Sequence, residues 1–285
     1  MTASPSPQPA AGNPLVDCHT HVFTADMPVA GDAWIRPDYS FTGSDLTAAM
    51  DAHGVHFSVV SGLSISGYYN DYMIAELRAN RRLRGTAIVP PQVDRYTLER
   101  MRADGIVGIR LQLARRDSFE DFRGDDYRLL LRRVRDLGWH VQVAIEGQQL
   151  PPVLDALLES GANLVIDHFG HPDPADPLNC PGFNAMLRAA QTGRCWIKLS
   201  GGFRLAGPAA WRDPEADLEQ TAQTVAEALL ARVGTERLLW GSDAPFVGYE
   251  KRLAYPDVLR TYRAWVPDAA QRAEIDRTAL KLYFA

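Results

Sequence analysis

Eight short apolar segments recur along the chain with a helical stretch between most neighbours, and this alternation restricts the fold more than any other feature. They cover 15–23, 57–62, 85–89, 107–113, 140–146, 163–168, 195–200 and 237–242, each rich in Val, Ile and Leu and closed by Gly, Asp, Pro or Ser. Runs of this kind read as strands of a parallel sheet covered on both faces. The stretches between them carry the helical period: over 126–137, Leu129, Leu130, Val134 and Leu137 fall on one stripe with arginines opposite. Gly54, Gly105, Gly138, Gly161, Gly193 and Gly234 each follow a helical stretch and precede a strand, where a left-handed cap is needed.

Right-handed crossovers repeated eight times close into a parallel barrel. The expected architecture is a single (β/α)8 TIM-type barrel over 14–285, with 268–285 as a final helix packing Ile275, Leu280, Leu282 and Phe284 against it. A doubly wound open sheet would carry a glycine-rich phosphate loop after its first strand, and His19-Thr20-His21 stands there instead. At 285 residues and 46% hydrophobic content the chain can bury such a core. A net charge of −5 with no basic cluster argues against nucleic acid, and no apolar stretch reaches the length of a membrane span. Cys18, Cys180 and Cys195, an odd number at unrelated spacings, suit free thiols in the cytoplasm. Residues 1–13, with Pro5, Pro7, Pro9 and Gly12, read as a disordered tail without a signal peptide. Homo-oligomerisation is left open.

The active site of such a barrel lies at the C-terminal ends of its strands. Those ends hold His19 and His21, Arg110 and Gln112, Glu146, Asp167 and His168, Lys198 and Ser200, and Asp243. Histidines two apart on a strand share a face and can hold a metal or polarise a carbonyl. Asp243, at the end of an apolar strand, is either a helix N-cap or a general base; with two histidines at the same mouth it reads as the base. His168 closes its strand and joins them. Arg110 sits in an otherwise apolar strand and needs an anionic partner, either a substrate carboxylate or a structural Asp or Glu. Arg116 and Arg204 follow strands four and seven, Arg115 reads as a surface residue, and arginines gathered at one mouth imply a substrate with two or more carboxylates. His171 either touches substrate or fills a loop; Lys198 lies deeper, and His53, His56 and His140 read as structural.

Together, Asp17-Cys18-His19-Thr20-His21-Val22-Phe23, Gly108-Ile109-Arg110, Gly138-Trp139-His140-Val141, Val165-Ile166-Asp167-His168, Ile197-Lys198 with Arg204, and Trp240-Gly241-Ser242-Asp243 resemble the amidohydrolase superfamily. Within it the chain is similar to the 2-pyrone-4,6-dicarboxylate lactonase group. The resemblance implies a hydrolase of aromatic catabolism that opens an acidic lactone, with Asp243 activating water and His19, His21 and His168 polarising the carbonyl. It implies that Arg110, Arg116, Arg204 and Tyr39 bind substrate. Three departures, Ala144 for a tyrosine, Phe246 for a histidine and His171 for an arginine, imply a related lactone of different shape.

Arg110 and Gln112 on strand four offer no bridging anion, which argues against a binuclear metal centre. Either no metal is required, or a single divalent ion such as Zn²⁺ is held by His19, His21 and Asp243 with His168 nearby. A decarboxylase or hydratase of a dicarboxylic acid is a second reading, and a non-catalytic dicarboxylate-binding protein a third.

Overall fold

The computed structural model describes residues 14–116, 118–206 and 219–285, so the tail expected over 1–13 lies outside the described residues. Eight parallel strands follow one another around one sheet in chain order: β1 (Leu15–Thr20), β2 (Val55–Ser61), β3 (Leu83–Ala87), β4 (Ile106–Gln112), β5 (His140–Ala144), β6 (Asn163–Ile166), β7 (Cys195–Ser200) and β8 (Leu238–Gly241). The helices between them are α1 (Gly43–His53), α2 (Asp71–Ala79), α3 (Arg95–Ala103), α4 (Asp125–Asp136), α5 (Leu150–Glu159), α6 (Pro181–Gln191) and α7 (Gln220–Val233). Two more, α8 (Tyr255–Trp265) and α9 (Ala269–Tyr283), complete the expected (β/α)8 barrel.

Local chemistry fixes these bounds. Thr42 and Asp45 form a reciprocal capping box at the start of α1, satisfying two free amides. At its end Gly54 takes φ 70°, a conformation that L side chains resist, and the other five stop glycines also have positive φ. The stripe on α4 differs from expectation by one position: Leu130, Leu131 and Val134 are buried, while Leu129 is 49% exposed. A one-residue rotation separates the two stripes, and packing on the sheet chose between them.

α9 closes the bottom of the barrel. Ala279 and Tyr283 pack with Val16, Cys18, Val59, Val165 and Leu239, and Asp276 accepts a hydrogen bond from Val16 N at 3.0 Å. Ile275 is buried as expected, with Leu280, Leu282 and Phe284 partly so.

Two features of the sheet determine where the polar residues point. Between Asp17 and Thr20, β1 advances three residues while β2 advances two, from Ser58 to Val60. This bulge lets Cys18 join the apolar bottom layer while its neighbour His19 faces the polar interior. The seam between β8 and β1 closes above it, where Asp243 N donates to His19 O at 2.7 Å and His21 N donates to Ala244 O at 2.8 Å. Gly241 permits that closeness, since a Cβ there would lie 2.5 Å from His19 Cβ.

Candidate active site

A cavity of about 380 Å³ opens at the C-terminal ends of the strands, and His21, Arg110, His168, Arg204 and Asp243 are on its wall. His19 lies beneath, fully buried, its ring 5.1 Å from that of His21 and 4.5 Å from that of His168. The three expected histidines and Asp243 therefore converge.

Asp243 is the centre of the cluster. Oδ1 lies 3.3 Å from His21 Nε2 and 3.7 Å from His19 Nε2, and Oδ2 accepts from Arg204 Nε at 2.5 Å. Burial alone would raise its pKa, but Arg204 and the neighbouring histidines overcome that and hold it well below the usual carboxylate range. It is ionised at neutral pH. Its backbone has φ 64°, and His168 and His171 take φ 49° and 42°. Left-handed conformations of this kind cost roughly 1–3 kcal/mol each, and they cluster here. Phe169, also at φ 57°, anchors the turn between the two histidines, with no exposed surface and its ring edge-on to Trp265 at 5.1 Å. Burying such a side chain contributes about 1.5–3 kcal/mol, enough to offset one strained residue.

Hydrogen bonds fix the imidazole orientations. His21 Nδ1 lies 2.9 Å from Ser61 O, and His168 Nδ1 lies 3.2 Å from Ser200 O. A carbonyl only accepts, so both Nδ1 atoms carry protons and both Nε2 atoms are left to the site. His21 Nε2 and Asp243 Oδ1 then face each other at 3.3 Å as two acceptors, which calls for a proton or a cation between them. Burial lowers the pKa of His19 to about 3 and that of His168 well below its ordinary value, so these two rings are neutral at pH 7. The donor set fits a single divalent ion: ligand atoms of His19, His21 and Asp243 lie within 4.8 Å of one another, and His19 Nε2 has no hydrogen-bond partner. His19, Asp167 and His168 form a second such group.

Below the histidines lies a buried charged network. Asp167 Oδ1 is 3.2 Å from His19 Nδ1 and 3.4 Å from Lys198 Nζ, while Oδ2 accepts from Arg110 Nε at 3.1 Å and Gln142 Nε2 at 2.9 Å. Burial works to raise the Asp167 pKa, and Lys198, His19 and Arg110 together hold it well below the carboxylate range. Lys198 Nζ also lies 3.3 Å from His19 Nδ1, so this lysine braces the histidine from within the barrel. Asp17, which strand-end placement does not single out, ties the seam together: Oδ1 accepts from Ser242 N and His19 N, and Oδ2 from the Tyr255 hydroxyl. Burial pushes its pKa up to about 6.

The arginines are placed less uniformly than their spacing implies. Arg110 is on the cavity wall, but its anionic partner is Asp167, and Nη1 donates to Gly62 O at 2.7 Å. Arg116 points elsewhere, pairing with Glu120 at 3.2 Å outside the cavity. Its neighbour Arg115, taken from sequence for a surface residue, is on the wall instead, with its guanidinium 4.1 Å over the Trp34 ring. The cause is local: Arg115 has φ 66° and its amide donates to Glu146 Oε1 at 2.8 Å, so the chain turns there and exchanges the two side chains. Tyr39 packs its ring 5.2 Å from that of Phe23 and is not on the wall, where Tyr249 stands. His171 does reach the cavity, edge-on to His168 at 5.0 Å, and burial lowers its pKa to about 4. His140 is structural as expected, packed against Tyr283.

A parallel barrel whose mouth gathers an ionised aspartate and three histidines provides groups that a hydrolase can use. Residues 16–285 match the amidohydrolase family model, so the chain belongs to that family. The 4-sulfomuconolactone hydrolase of Rhizobium radiobacter is 28% identical over 91% of this chain and 86% of its own. The 2-pyrone-4,6-dicarboxylate hydrolase of Comamonas testosteroni is 27% identical over 93% and 87%. Among solved structures, a probable 2-pyrone-4,6-dicarboxylic acid hydrolase from Acinetobacter baumannii with citric acid bound superimposes with a TM-score of 0.86 at 28% identity, covering 94% of this chain and 98% of that one.

Proposed function

We propose that this protein hydrolyses a carboxylated lactone, opening its ring. The observation that carries this reading is the Asp243 carboxylate, held ionised against Arg204 and aimed at the histidine cluster inside a cavity of lactone size. The names of the two curated relatives, both hydrolases of cyclic esters, support it.

In this scheme Arg204 and Arg115 receive the substrate carboxylate and fix the ring. Asp243 Oδ1 takes a proton from water as the water oxygen bonds to the lactone carbonyl carbon. His21 and His168 border the position of the developing oxyanion. For His21 to donate there, Nε2 carries a proton, because the Nδ1 proton is engaged by Ser61 O. The ring C–O bond then breaks and the proton held by Asp243 passes to the leaving oxygen, so atoms and charge balance. Arg110 and Lys198 act from below through Asp167 and His19. A divalent ion on His19, His21 and Asp243, with His168 beside it, would supply Lewis-acid polarisation and a more acidic water. We favour the proton-based arrangement, with reaction in the cytoplasm, where the three buried free cysteines stay reduced.

Ring-opening assays on carboxylated lactones test the proposal, before and after chelation. Turnover that survives chelation supports polarisation by the side chains, and its loss with restoration by Zn²⁺ supports the ion. Asp243→Asn is expected to lower kcat by about 10²–10⁴-fold. Near-normal turnover in that variant refutes the scheme. Release of CO₂ or addition of water to an alkene would point to a decarboxylase or hydratase on the same barrel, and recovery of unchanged ligand to a binding protein.

A further inference from the structure

The charges on the cavity wall restrict what the lactone can carry. Three guanidiniums stand there, those of Arg110, Arg115 and Arg204, against the carboxylates of Glu146, Asp173 and Asp243. Arg110 is engaged on every side, through Nε and Nη2 with Asp167 and through Nη1 with Gly62 O, whereas Arg204 meets Asp243 through Nε alone. Arg115 has no carboxylate in salt-bridge contact among the described residues. Arg204 lies close enough to Arg115 to lower its pKa further, after the larger effect of burial. An anion seated between these two guanidiniums relieves their repulsion. A second carboxylate in the same cavity would meet no uncommitted guanidinium on the described wall.

The wall next to Arg115 has the opposite character. Gln112 ends β4, Glu146 lies just past β5 and His171 lies just past β6, so the three stand at the ends of consecutive strands. Gly147 N donates to His171 O at 2.8 Å, tying two of these loops together. Each residue lines the cavity and leaves one buried polar atom without a partner: Gln112 Oε1, Glu146 Oε2 and His171 Nδ1. A buried polar atom without a partner costs about 1–3 kcal/mol, and each of these three is satisfied once its side chain turns that atom toward a ligand in the cavity. Glu146 decides the chemistry: its Oε1 already accepts from Arg115 N, and a carboxylate oxygen such as Oε2 takes a donor as its partner. Hydroxyl groups meet that requirement. A second carboxylate or a sulfonate does not.

We propose, building on the lactone reading above, that the substrate carries a single carboxylate, seated at Arg115 and Arg204, and that its other end presents hydroxyl donors to Gln112, Glu146 and His171. This is the pattern of a sugar-acid lactone rather than of a flat dianionic one, and Glu146 is the specificity-determining residue.

Two probes separate the cases: D-glucaro-1,4-lactone, with one carboxylate and several hydroxyls, and 2-pyrone-4,6-dicarboxylate, with two carboxylates and no hydroxyl. Ring opening is followed for both with the full chain, and binding of both to the Asp243→Asn variant by calorimetry. The expected result is at least about tenfold higher kcat/KM and tighter binding for the hydroxylated lactone. Glu146→Gln is expected to lower kcat/KM for that lactone by about 10–100-fold and to leave or raise that for the pyrone, a selective effect that misfolding would not produce. Equal or better handling of the pyrone, or a Glu146→Gln variant with unchanged preference, overturns the inference. Failure to open either ring refutes the lactone reading instead, and the calorimetric preference then still decides between one carboxylate with hydroxyls and two carboxylates.

Discussion

Replacing Asp167 with Asn tests the buried network beneath the site with almost no change in volume. In the native protein this carboxylate, with no exposed surface, neutralises Arg110 at 3.1 Å and Lys198 at 3.4 Å and orients His19 at 3.2 Å. The amide keeps one acceptor but removes the charge, leaving two buried cations without a counter-ion. Breaking a buried pair in this way costs about 3–5 kcal/mol, because the surviving charge stays desolvated. For 285 residues the unfolding entropy is about 0.6 kcal/mol/K, so the midpoint temperature should fall by about 5–8 °C. Urea unfolding and a thermal melt measure both quantities. Adding Lys198→Met removes one orphaned charge and should restore about 1–3 kcal/mol, a coupling that a double-mutant cycle reads directly. An Asp167→Asn variant within about 1 kcal/mol of the native protein, or a double variant no more stable than the single one, would show that the network does not work by charge compensation.

Other consequences can be checked separately. Burial holds His140 at a pKa of about 3, against 6.5 in the unfolded chain, so the unfolded state binds the extra proton and stability falls as pH drops below 6.5. At pH 5 this amounts to about 2 kcal/mol for that residue alone, and His140→Gln should flatten the slope of unfolding free energy between pH 6.5 and 4.5. Arg204→Gln removes the partner at Asp243 Oδ2, so the acid limb of the kcat/KM profile should move to higher pH; an unmoved limb would separate Arg204 from the base. Gly241→Ala places a Cβ 2.5 Å from His19 Cβ and 2.8 Å from His19 N, both across the β8–β1 seam. Overpacking of about 1–3 kcal/mol and loss of turnover should accompany each other there, measured by melt and ring-opening assay.

Much of this was legible in the sequence because it depends on local periodicity. All eight strands lie where apolar runs end in Gly, Asp, Pro or Ser, and six stop glycines mark helix ends by their need for positive φ. The rule that polar residues gather at the C-terminal strand ends then brought His19, His21, His168 and Asp243 to one point. The arginines resisted the same treatment. Strand-end placement says that a guanidinium is near the mouth, but not which carboxylate reaches it first, and Asp167 lies 57 residues from Arg110 in the chain. Arg115 and Arg116 could be told apart only by the left-handed turn between strand and loop.

The sequence alone therefore determined the barrel, its closing helix and the histidine–aspartate cluster, since each follows from side-chain period and chain order. The tertiary structure decided the β1 bulge that turns His19 inward, the seam that Asp17 and Gly241 hold, and the pairing that leaves Arg115 as the wall guanidinium without a carboxylate among the described residues. The physical reason is range. Period and turn chemistry act over a few residues, whereas which charges neutralise one another in a buried site depends on distances between strands that only the closed barrel sets.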